Sequence, residues 1–134
     1  MKLSSLATAG LTTSILSILA GAIVRATGSG DGCGASWPTC NGRVIPSLET
    51  SSEIIEFSHR SISGVLLIVT LLLFVKSKDP DTPLLHKKII NYLTFFVLLE
   101  AAIGAVIVIY EWVGLNSSLP RICLLYTSDA ADDW

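Results

Sequence analysis

The segment TSSEIIEFSHR, residues 50–60, holds the densest group of side chains able to do chemistry. His59 and Arg60 follow Glu56 by three and four residues, so in a helix both lie near it along one side. The group borders an apolar run, and ionisable residues at membrane depth are costly and tend to mark function. A neutral imidazole on a bundle helix is a common way to hold haem iron. A carboxylate beside it can stabilise developing positive charge or take a proton. The plainer reading is an interfacial Glu56–Arg60 salt bridge, worth about 1 kcal/mol or less if exposed, and a hydrogen-bonded histidine. Ser63 continues the His59 face one turn on and leaves room for a flat ligand. Glu53 stands at capping-box spacing from Thr50, which accounts for it structurally.

A second group lies upstream in VRATGSGDGCGASWPTCNGR, residues 24–43. Its glycines and Pro38 turn the chain repeatedly and exclude regular structure. Cys33 and Cys40 enclose GASWPT, long enough to close a small ring. Zinc pairs usually stand two to four residues apart with further ligands nearby, and no histidine follows Cys40 as haem attachment requires. A disulfide is the expectation, either as a staple for the loop or as an exposed, reducible bridge. Trp37 beside Pro38 reads first as an interfacial anchor, and second as a lid over an apolar ligand. Glu100 sits in the middle of an apolar run, where a charged carboxylate costs several kcal/mol, about 2.5–3.5 by the lower estimates. It is expected to be protonated, to face a polar cavity, or to pair across a bundle. Gly104, with Ala101 and Ala105, suits close helix packing there.

The elements that must position these residues are membrane helices. The chain has 134 residues, 51% hydrophobic and 15% charged, with a mean hydropathy of +0.64. That excludes disorder, and the absence of a basic stripe argues against nucleic acid. A bilayer core takes about 20 apolar residues in helix. Runs at about 3–24, 54–75 and 89–110 meet this, giving an all-α membrane protein with an external loop at 25–53. The first run also resembles a signal peptide, with Lys2 as a basic n-region and Ala20-Gly21-Ala22 as a cleavage site. Its continuation through Ile23 and Val24, and the two spans that follow, favour a retained helix.

Lys2, Lys76, Lys78, Lys87 and Lys88 flank one side of these spans, and only Arg43 lies in the other loop away from the helix ends. The N-terminus is therefore expected in the cytoplasm, and His86 reads as a solvated residue of the lysine-rich loop. Residues 123–134 change character. CLLYTSDAAD is what a common sequencing-library transposon adapter encodes in one reading frame, so this tail is expected to be foreign to the fold. Without its three aspartates the net charge of −2 turns slightly positive.

Taken together, AGAIVRATGSG, CGASWPTCNGR and EFSHRSISG, with EAAIGAVIV and GLNSSLPR after them, resemble the N-terminal half of haem A synthase over residues 1–122. The resemblance implies half of an eight-helix, two-bundle fold, of which this chain holds three helices of an incomplete four-helix bundle. It implies oxidation of the haem O methyl group to the formyl group of haem A, for terminal oxidases. His59 then corresponds to a haem-iron histidine and Glu56 to a glutamate of the chemistry. Cys33 and Cys40 correspond to the loop cysteine pair of some members. Glu100 stands where the family usually has glutamine. Haem O is the implied substrate and haem b the cofactor of the other half. Haem O synthase and a quinone or other electron acceptor are the implied partners. The setting is a bacterial plasma membrane. The partner histidine belongs to a fourth helix absent here, so the truncated chain is expected to be inactive alone. The alternatives are a non-catalytic membrane cytochrome b, which needs His59 but not Glu56, and a thiol-disulfide protein, which needs neither.

Overall fold

The computed structural model describes residues 2–47 and 49–110. Within them three long helices follow one another: α1 at Leu3–Ala26, α2 at Ser51–Ser77 and α3 at Leu84–Ile109. A 3-10 turn at Ser29–Asp31 interrupts the loop between α1 and α2. All three helices are long and apolar enough to cross a membrane. At 1.5 Å per residue they reach past the roughly 30 Å hydrocarbon core. The expected all-α membrane protein is therefore what the structure has. The tail at 123–134 and GLNSSLPR lie outside the described residues.

Lipid offers the backbone no hydrogen-bond partner, which is why these segments are helical throughout. Polar side chains in them turn inward on their own helix for the same reason. Thr8, Thr12 and Ser14 donate to carbonyls one turn back in α1, as do Thr70 in α2 and Thr94 in α3. The helices run past their apolar stretches. α3 begins at Leu84, just after Pro83, five residues before the expected start. Charge at Lys87 and Lys88 marks where the helix leaves the apolar phase, not where it ends; the proline, which suits a helix start and disfavours helix before it, sets the boundary. His86 is exposed as expected, but on the first turns of α3 instead of in a loop.

α2 is the central helix, with α1 and α3 both packed on it. Leu6, Leu73 and Ile90, one from each helix, form the buried apolar core. The α1–α2 seam is antiparallel and lined by small residues on α1. Gly10 lets α1 approach Leu73: a Cβ there would stand 3.3 Å from the Leu73 Cδ1. Farther along, the Ser17 and Ser63 hydroxyls hydrogen-bond at 2.8 Å, and Gly21 lies against the His59 ring. Small residues bring helix backbones close where lipid supplies no hydrophobic drive. The space expected beside Ser63 is thus taken by Ser17. The described helices put nothing within 4 Å of a Cβ at Gly104, and Glu100 and Ala101 are exposed. The close packing expected on this face of α3 is therefore not made within the described residues.

Candidate functional site

The loop between α1 and α2 forms a compact ring fastened to the first turns of α2. Cys33 and Cys40 are joined by a disulfide. Asn41 closes the ring against the preceding chain, its backbone N–H donating to the Cys33 carbonyl at 3.1 Å and its side-chain amide to the Gly32 carbonyl at 3.1 Å. Asn41 adopts a positive φ of 51°, a conformation asparagine tolerates better than most residues. The ring lies flush on α2: a Cβ on Gly32 would stand 2.5 Å from the Ser52 carbonyl carbon and oxygen.

Two acids of α2 hold this loop. Glu53 is buried, and its carboxylate accepts from the Ser47 hydroxyl at 2.7 Å and the Ser47 N–H at 3.3 Å. The capping box expected with Thr50 does not form; Thr50 stands at the N-cap but makes no side-chain cap. Loop docking outcompetes the cap because the Glu53 carboxylate already has two donors there. Glu56, one turn deeper and also buried, accepts from the Cys33 N–H at 2.8 Å through Oε2. Its Oε1 pairs with the Arg60 Nη2.

Arg60 does more than pair with Glu56. Its Nη1 donates to the Ser36 carbonyl at 2.6 Å and the Thr39 carbonyl at 2.8 Å. These two carbonyls flank Trp37 and Pro38, joined by a cis bond, with Trp37 half exposed at the tip. The side chains of Arg60 and Glu56 are 12% and 4% exposed, so the weak exposed salt bridge of the plainer reading is replaced by a buried one. Sequence spacing contained the pair, but not its use of loop carbonyls, since main-chain acceptors leave no mark in residue type. Nor did it single out Ser47 or Gly32.

His59 points away from this clasp, toward α1. Its ring lies beside the Ser17 backbone and 3.1 Å from where a Gly21 Cβ would be. Its Nδ1 is buried without a hydrogen-bond partner. The charges acting on it come from Glu100 of α3 and from Glu56 and Arg60 of its own helix. A buried polar atom left unpaired costs about 1–3 kcal/mol, so the unpartnered Nδ1 fits a residue that takes a ligand. An open cleft of about 580 Å³ lies at the opposite end of α2, lined by Leu6, Leu72, Val75, Lys76, Asp79 and Pro80. None of the candidate site residues borders it.

Residues 4–53 match a sequence family described as cytochrome oxidase assembly protein. A haem A synthase of Lysinibacillus sphaericus is 41% identical over 97 residues, covering 72% of this chain and 32% of that protein. One from Staphylococcus aureus is 40% identical over 94 residues, covering 69% and 31%. Over most of its length the chain is similar to these haem A synthases. A longer relative from Thermus thermophilus, named protohaem IX farnesyltransferase, is 40% identical over 123 residues, covering 90% of this chain and 20% of that protein. The chain thus spans about a third of the haem A synthases and a fifth of the Thermus protein. No solved structure matches it.

Proposed function

We propose that this chain is the N-terminal, haem O-facing part of a membrane haem A synthase, an oxidoreductase that converts the haem O methyl group to a formyl group. The observation that carries the reading is His59, a half-buried imidazole whose Nδ1 is buried and unpartnered, one turn from a buried Glu56. Haem O is the substrate, and His59 supplies a nitrogen to its iron. Haem brings the iron and the conjugated ring that make the methyl carbon oxidisable.

The chain's own residues orient the substrate and handle charge. A carboxylate offers about four acceptor positions, and Cys33 and Arg60 account for two on Glu56. The others can receive a proton from water or stabilise positive charge on the methyl carbon as electrons leave it. Arg60 holds that acid in place. The three helices are three of a four-helix bundle, and the partner histidine and haem b belong to the rest of a longer protein. Haem O synthase supplies the substrate and a quinone or similar acceptor takes the electrons. Lysines at one end of the helices support a cytoplasmic N-terminus, and the membrane of this reading is a bacterial plasma membrane. The Thermus name refers to a protein of which this chain covers a fifth. The haem A synthases, covered to about a third, share the site-bearing region and guide the assignment.

In a full-length protein carrying this chain, Glu56→Gln is expected to bind haem O and release no haem A, measured by chromatography of extracted haems. Normal formyl-haem production by that variant removes Glu56 from the chemistry. Haem binding without any formyl product from the unaltered protein would favour the electron-carrying cytochrome instead.

A further inference from the structure

We infer that Arg60 is a positioning residue that couples the external disulfide ring to the haem-facing helix and, through it, fixes the Glu56 carboxylate. Among the described residues the ring meets α2 at Glu53, which lies against both ring sulfurs, and at three further places. Gly32 abuts the Ser52 backbone, the Cys33 N–H binds Glu56, and the Arg60 fork takes the Ser36 and Thr39 carbonyls. Among the described residues, Arg60 alone joins the far side of the ring to the acid. Its Nη1 reaches the carbonyls of Ser36 and Thr39, three residues apart in the chain, while its Nη2 holds Glu56. A planar guanidinium can present donors in several directions at once; a lysine ammonium is a compact point charge on a flexible stem and does not reproduce that fork.

Disulfide state and acid geometry are therefore one mechanical unit. When the ring is held, Glu56 has one partner from the ring and one from Arg60. When Arg60 is lost, the ring keeps its contacts at Gly32, Cys33 and Glu53, and Glu56 keeps the Cys33 N–H alone. Any use of Glu56 on haem O rests on the proposed function above; the coupling itself does not.

The test uses the whole chain in detergent micelles, in a Cys123→Ser background so that only the ring cysteines report. Reduction by dithiothreitol is followed by alkylation and intact-mass measurement. Arg60→Lys is expected to be reduced about tenfold faster or more, the scale set by loss of charge-assisted hydrogen bonds. Glu56→Gln is expected to accelerate reduction as well, and the double variant by less than the product of the two, because both act through one network. The infrared carboxylate band that disappears in Glu56→Gln should shift in Arg60→Lys while helical circular dichroism stays unchanged. Parental reduction kinetics or an unshifted band in Arg60→Lys overturns the inference. Haem O titration of the same samples keeps the two readings apart. Absent haem binding with faster reduction in Arg60→Lys counts against the haem assignment alone, and intact haem binding with parental reduction counts against the coupling alone.

Discussion

Gly32→Ala is expected to undock the disulfide ring and lower the thermal midpoint of the chain more than any other glycine-to-alanine change in the loop. The new Cβ would stand 2.5 Å from the carbonyl carbon and oxygen of Ser52 and 2.7 Å from the backbone nitrogen of Glu53. These atoms belong to the first turn of α2 and cannot swing aside as a side chain would. Overpacking of this kind costs about 1–3 kcal/mol, occasionally more. The position has φ near −58°, so the penalty comes from close approach and not from backbone conformation. Gly28 supplies the contrast. Its φ is +62° and nothing lies within 4 Å of a Cβ there. Gly28→Ala should therefore lose only the left-handed preference, about 1–2 kcal/mol. Because Cys33 follows Gly32 directly, lifting the ring also breaks the Cys33 N–H bond to Glu56. Thermal unfolding and disulfide reduction measured on both variants check this. A Gly32→Ala chain as stable as Gly28→Ala would mean that the loop does not sit on α2 as described.

The membrane helices were legible in the sequence because lipid imposes a single requirement, a long apolar run with its backbone satisfied internally. The ends were less legible. α3 starts at Leu84 because Pro83 sets its boundary, whereas apolar phase alone pointed to residue 89. In the site, Glu56, His59 and Arg60 were visible as a spacing, and Cys33 with Cys40 as a ring. What the ring grips was not visible. Arg60 binds main-chain carbonyls, and any residue offers those. Glu53 was assigned to a cap because Thr50 stood at the right distance, yet its carboxylate goes to Ser47. Local spacing ranks partners within one helix and cannot see a loop that folds back from outside it. Gly32 was one of five glycines in a turn-rich segment; only the approach of a second backbone distinguishes it.

Gly21→Leu is expected to weaken haem O binding as much as His59→Met does, although residue 21 is on another helix. A Cβ at Gly21 falls 3.1 Å from the His59 Cε1 and 3.6 Å from each ring nitrogen. An alanine asks the ring to yield by a few tenths of an ångström; a leucine occupies the ring's place along the seam. The imidazole must then rotate away, or α1 must separate from α2 and break the Ser17–Ser63 hydrogen bond at 2.8 Å. Either outcome moves the nitrogen that is to meet iron. Loss of the groups that orient a metal-binding histidine typically lowers affinity about 10–100-fold, and Gly21→Ala should fall at or below the lower end. Gly64, on the same helix as His59, has nothing within 4 Å of a Cβ, so Gly64→Leu should leave binding unchanged. Titrating haem O into the chain in micelles and following the Soret band separates these cases. Parental affinity in Gly21→Leu would show that iron is not held at the α1–α2 seam. Equal loss in Gly64→Leu would show that bulk anywhere along the bundle suffices. The distinctive expectation is the graded order, with Gly64→Leu nearest the parent, then Gly21→Ala, then Gly21→Leu and His59→Met together. It follows from one imidazole wedged against one glycine with its Nδ1 unpaired.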